Sequence, residues 1–237
     1  MSEVNGAPEW PLRRAKAAAT RLAIIDAASR EFVADGYLGA SMQAIADAAG
    51  VSRATVFNAV GGKAALLKAA YDVATVGDDE PVPLPQRTDA IAARLEPDAR
   101  RSIALYAEMI ANIGQRLAPI YEVFRAAASG DPEVRSMWQQ VQAERLKGAH
   151  GYVGLLLNKS PLRDGLDPKV AGDIVWTLID ASLYHRLVIE RGWPKIQFQT
   201  WLSASLEEQL LPLSQAPRHP RGGTTAKVAA SPIADRP

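Results

Sequence analysis

Arg53, Ala54, Thr55, Phe57 and Asn58 stand within about two helical turns of one another and bring together charge, small size, an aromatic ring and hydrogen-bonding groups. A guanidinium can bond the O6 and N7 of one guanine, worth about 1–3 kcal/mol of discrimination, and a ring can press on a thymine methyl. Hydroxyls and amides can reach base edges or phosphates. This is chemistry for the major groove of double-stranded DNA. Ser52 precedes the group as an N-cap, Ser41 does the same one helix earlier, and Lys63 opens the next helix with a cation suited to phosphate.

A second set lies in the C-terminal half. Met109, Ile113, Leu117, Tyr121, Phe124, Trp138, Tyr152, Trp176 and Tyr184 are side chains that can line a pocket, although any helical bundle produces such stripes in its core. Asp180 and His185 are polar groups in an otherwise apolar segment, able to orient a small-molecule ligand or to form an internal pair. Catalysis finds no comparable grouping. His150, His185 and His219 are far apart and lack metal-ligand spacing, and there is neither a glycine-rich phosphate loop nor a nucleophile elbow. Asp164 and Asp167 read as helix caps, not calcium ligands. With no cysteine, disulfides, Cys-ligated zinc and thiol catalysis are excluded. The expectation is a non-enzyme with no cofactor and no bound metal.

The elements that must position these residues read as helices throughout. Residues 20–34 place Leu22, Ile25, Ala28 and Phe32 on one face and stop at Gly36. Ser41 caps a short helix through Met42, Ile45, Ala46 and Ala49, and Gly50 and Val51 form the turn before Ser52: a helix-turn-helix pattern. Residues 64–76 form a fourth helix, and residues 77–87, with PVPLPQ, form a linker. Helices are then expected at 88–95, at 98–128 with a kink from the donor missing at Pro119, at 133–157, at 169–191 as one piece, and from there to about 211. No period-two alternation predicts a strand. The fold class is all-α: a flexible arm at 1–15 whose Arg13 and Arg14 can reach DNA, a helix-turn-helix domain at 16–76, a helical ligand-binding and dimerisation domain at 88–211, and a disordered tail at 212–237.

Composition agrees. The chain has 237 residues, 48% hydrophobic and 22% charged, with a net charge of +1, yet eight basic residues face four acidic ones between positions 10 and 70. That local excess suits a phosphate surface. No run reaches the roughly 20 apolar residues of a membrane span, so the expected setting is the cytoplasm, with no membrane partner.

From Arg21 to Tyr71 the sequence resembles the DNA-binding domain of the tetracycline-repressor (TetR) family of bacterial transcriptional regulators. The matching residues are Phe32, Gly36-Tyr37, Ser41, Ile45-Ala46, Ala48 to Ser52, Thr55, Lys63 and Leu66-Leu67. The resemblance implies a homodimer, an N-terminal DNA-reading head and a C-terminal domain that holds a small apolar or amphipathic effector. It puts Arg53, Ala54 and Phe57 at base edges and Ser41, Thr55, Asn58 and Lys63 at phosphates. The chain departs from the family at Phe57, where tyrosine is common, at Ala59, and at Val60 and Gly62 ahead of Lys63. Two phosphate donors are thereby lost, which leaves a second reading: a small-molecule or protein-interaction module whose recognition helix is degenerate. The C-terminal helices support a dimer independently. Val170, Ile174, Leu178 and Ala181 make one apolar stripe, Val175, Ile179, Leu183 and Leu187 another, and Trp201, Leu202, Leu206 and Leu210 a third, more than one bundle interior can use.

Overall fold

The computed structural model describes residues 9–212, with side chains from Arg13 onward. The first eight residues of the expected arm, and the tail beyond Pro212, lie outside the described residues. Every regular element is helical: α1 (Glu9–Gly39), α2 (Met42–Ala48), α3 (Arg53–Ala59), α4 (Lys63–Val76), α5 (Thr88–Leu95), α6 (Ala99–Gly130), α7 (Pro132–Leu157), α8 (Pro168–Leu178), α9 (Ala181–Tyr184) and α10 (Lys195–Leu210). A 3-10 turn at Leu84–Gln86 sits in the linker, and a π-helical turn at His185–Glu190 follows α9.

The caps account for most helix starts. Asp98, Asp131 and Asp167 accept backbone N–H bonds at the starts of α6, α7 and α8, and Pro132 and Pro168 occupy first-turn positions where no donor is needed. α1 differs from expectation. It begins at Glu9, not near residue 20, so Arg13 and Arg14 stand on the exposed surface of a helix; the chain turns at Gly36, whose φ of 69° is left-handed. α6 continues through Pro119 as one helix.

The larger correction concerns 169–191. This is not one helix: α8 ends at Leu178, and Asp180 caps α9 by accepting from Ser182 N. The break follows from a tertiary pairing, because the same carboxylate accepts from Arg145 Nη1 at 2.9 Å and Tyr121 Oη at 2.6 Å. Periodicity carries no sign of a partner on another helix.

The small core of α1–α4 is closed by Ile24, Ile25, Phe32, Ile45, Val56, Leu66 and Leu67, all 0–1% exposed. α6 is the spine of the rest, packed by α4, α5, α7, α9 and α10. Side-chain hydrogen bonds add to the packing of α1 and α4 on α6 and tie down the linker. Arg116 of α6 donates to Ala74 O and Thr75 O at 3.1 Å each, at the C-terminus of α4. Tyr37 Oη donates to Asp131 Oδ2 at 2.9 Å, and Arg21 joins Ala59 O to Asp79 Oδ2. Of the three C-terminal stripes, Val175 belongs to the core, as do Leu202, Leu206 and Leu210 at 0% exposure, whereas Val170 is half exposed and Ile174 and Leu178 half-buried. The α10 leucines therefore have their partners within the chain. Of these stripes, the one that leaves a large apolar residue exposed is that of α8, at Val170.

Candidate DNA-reading surface and ligand cavity

α3 is held by a single buried residue, Val56, which turns the others outward. Arg53, Ala54, Phe57 and Asn58 are exposed, and Phe57 at 64% cannot be a core residue, so its ring is available to a partner. The caps hold the helix. Ser52 Oγ accepts from Thr55 N at 3.1 Å and lies 2.9 Å from Thr55 Oγ1; Ser41 Oγ accepts from Ala44 N at 3.0 Å. Gly50, with φ of 67°, makes the turn between α2 and α3. Lys63 behaves differently from a free surface lysine. Its ammonium donates to Leu38 O at 3.2 Å and sits 4.9 Å from the centroid of the Tyr37 ring, and burial lowers its pKa.

The larger part holds a cavity of about 1020 Å³ between α4, α5, α6, α7, α9, α10 and the proline-rich linker. Met109, Ile113, Leu117, Tyr152, Asp180 and Tyr184 meet on its wall. Tyr121, Phe124, Trp138 and Trp176 are not on it. The first three form an edge-to-face cluster with Tyr71, the Tyr121–Trp138 centroids being 5.0 Å apart and those of Phe124–Trp138 5.4 Å, which packs α6 against α4 and α7. Trp176 lies under the Arg145 guanidinium instead. His185 is also off the wall, with Nε2 3.6 Å from Glu190 Oε1.

Tyr71, Tyr106, Arg145 and the linker residues Val82 and Leu84 line the cavity unannounced by sequence. Tyr71 was legible only as part of the apolar face of α4, and nothing in a proline-rich linker says that it roofs a cavity. Tyr106 and Tyr152 stack in parallel, centroids 3.7 Å apart. Burial pushes Tyr71 up to about 12 and raises Tyr106 and Tyr152 further, so all three are neutral phenols at pH 7. Burial would raise Asp180, but the Arg145 charge and hydrogen bonds from Ser182 and Tyr121 outweigh it and leave the carboxyl below its usual range. Arg145 also donates to Gln142 Oε1 at 2.6 Å.

Residues 24–70, which span all of α2 and α3 with most of α1 and α4, match the family model of the bacterial regulatory proteins of the tetR family. Residues 24–70 are thus a DNA-binding domain of the type found in TetR-family regulators. No curated protein matches it. Solved structures share the fold over most of the chain, including NalD of Pseudomonas aeruginosa, the secondary repressor of the MexAB-OprM multidrug efflux pump, at 20% identity and TM-score 0.62 over 82% of this chain and 98% of that one. FadR of Bacillus subtilis in complex with stearoyl-CoA is 18% identical with TM-score 0.59, covering 78% and 96% of the two chains. A regulator from Saccharomonospora viridis in complex with choline is 16% identical with TM-score 0.60, covering 80% and 96%. At these identities the likeness concerns the fold alone. Among the described residues, no helix is long and apolar enough to cross a membrane.

Proposed function

We propose that this chain is a cytoplasmic repressor that grips a palindromic operator as a two-fold homodimer and is released by a small apolar or amphipathic effector held in the cavity. The observation that carries this reading is that α4 serves both sites. Its first residue, Lys63, stands beside the reading helix, while Tyr71, Thr75 and Val76 near its other end are cavity wall, and Arg116 of α6 grips its last carbonyls. A ligand that fits the cavity better when α4 has shifted would draw the population away from the DNA-binding arrangement. Two heads must sit about 34–36 Å apart to enter successive major grooves, so a small rotation of α4 is enough to lose one half-site. The outward surface of α8, with Val170, Ile174 and Leu178, supports the dimer.

The exposure of Arg53, Ala54, Phe57 and Asn58 supports the division of roles that the family resemblance implies. Arg53 is the base reader, with Ala54 and Phe57 beside it at base edges; Ser41, Ser52, Thr55 and Asn58 meet phosphates, and Lys63 adds a cation there. A mobility-shift titration against the DNA upstream of the chain's own gene, run at several salt concentrations, tests it. Arg53→Ala should relax preference at one base position by about 1–3 kcal/mol. Lys63→Ala should weaken all sequences alike and reduce the salt slope by about one unit. Identical behaviour of the two variants would overturn the assignment. The absence of any salt-dependent shift would return the chain to the alternative of an interaction module with a degenerate reading helix.

A further inference from the structure

The charge around the cavity is unbalanced, and we infer that its ligand is an organic cation with an apolar body. This rests on the reading of the cavity as the effector site. The wall carries four carboxylates, Asp72, Glu80, Glu144 and Asp180, against the guanidiniums of Arg94 and Arg145. Arg145 offers an anion little. It is held by Asp180 at 2.9 Å, by Gln142 at 2.6 Å and over the Tyr121 and Trp176 rings, and an anion that drew it away would strand the Asp180 carboxylate. Asp72 is paired with Lys68 at 2.6 Å. Glu80 and Glu144 remain on the exposed rim against Arg94, which turns to Pro85 O at 3.4 Å, while Arg87 donates to Glu80 O at 3.3 Å but has its charge matched by Asp78 at 2.7 Å. The amide of Gln140 donates to Glu144 at 2.9 Å and leaves its charge in place.

Inside the rim the wall offers ring faces from Tyr71, Tyr106, Tyr152, Tyr184 and Phe198. The buried tyrosines keep their protons, so they add no compensating charge, and the face of a neutral aromatic ring attracts a cation. The Tyr152 hydroxyl itself is enclosed beside Ser102, which donates to Ala93 O at 2.7 Å and accepts from Lys159 at 2.9 Å, so Tyr152 adds to the wall as a stacked ring and carries no charge.

Tetraphenylphosphonium and tetraphenylborate are nearly isosteric lipophilic ions of opposite sign, and each is small enough for the cavity. Titrated calorimetrically into the full chain at pH 7 and about 0.1 M salt, where charges a Debye length apart are screened, the phosphonium should bind at least about tenfold more tightly. In the double variant Glu80→Gln with Glu144→Gln, both positions being exposed, the preference should fall to within about threefold. Equal or tighter binding of the borate overturns the charge assignment while leaving the cavity as an effector site. A preference that survives the double variant overturns it too, since the sign is then read elsewhere. Binding of neither ion at millimolar concentration removes both the inference and the reading on which it rests.

Discussion

Gly114 is where α6 lets Tyr184 lie against its backbone, and replacing it with alanine probes the packing beside the cavity. A Cβ at that position would stand 2.6 Å from Tyr184 Cδ2, 2.7 Å from Cγ and 3.0 Å from Cβ. Carbon atoms prefer separations of about 3.5–4.0 Å, so the ring must retreat by about 1 Å. Tyr184 is 3% exposed and has Phe198 edge-on at 5.0 Å, so the retreat runs toward the cavity that Gly114 and Tyr184 both line. Overpacking of this kind costs about 1–3 kcal/mol, against about 1 kcal/mol gained by alanine over glycine within a helix. Gly154→Ala in α7 isolates the second effect, because nothing lies within 4 Å of a Cβ there. Gly154→Ala should stabilise the fold by up to about 1 kcal/mol and Gly114→Ala should melt below it by about 1–3 kcal/mol, or about 2–4 °C for each kcal/mol in a chain of this size. Thermal unfolding followed by circular dichroism measures both. If Gly114→Ala melts with or above Gly154→Ala, the close approach of Tyr184 to α6 is wrong, and with it the shape given to this end of the cavity.

Phe57→Tyr should strengthen operator binding about two- to tenfold, the value of one added hydrogen bond, and leave the melting temperature unchanged because the ring is already exposed. A loss of affinity in the same mobility-shift assay would show that the added hydroxyl has no partner on DNA. Val170→Glu combined with Leu178→Glu places charge on the outward face of α8 without touching the core leucines of α10. Sedimentation should then find a monomer with native helicity and sharply weaker operator binding, since joining two half-sites no longer multiplies affinity; a dimer of unchanged affinity would move the interface elsewhere.

The helix-turn-helix was legible because its determinants are local. Ser41 and Ser52 bond backbone N–H groups three residues away, Gly50 takes a left-handed turn, and the spacing of Ile45, Ala46 and Val56 leaves α3 with one inward residue. The same holds for the aspartates that start α6, α7 and α8. Exposure of Phe57 follows from this local geometry.

Apolar spacing along one helix marks a face but not its neighbour, so Met109, Ile113 and Leu117 on the cavity wall and Tyr121 and Phe124 in the aromatic cluster looked alike in sequence, all lying on α6. What separates them is which helix packs opposite. The break at Asp180 has the same origin: its carboxylate meets Arg145, 35 positions away in the chain, and the pairing of two charges on different helices overrides a continuous apolar pattern. Sequence by itself determined the all-helical class, the helix-turn-helix and the capped starts of α2, α3, α6, α7 and α8, all of which depend on bonds spanning a few residues. Tertiary structure decided the cavity, its charge and the part that α4 takes in its wall, because these depend on side chains that meet only when α4, α6 and α7 pack together.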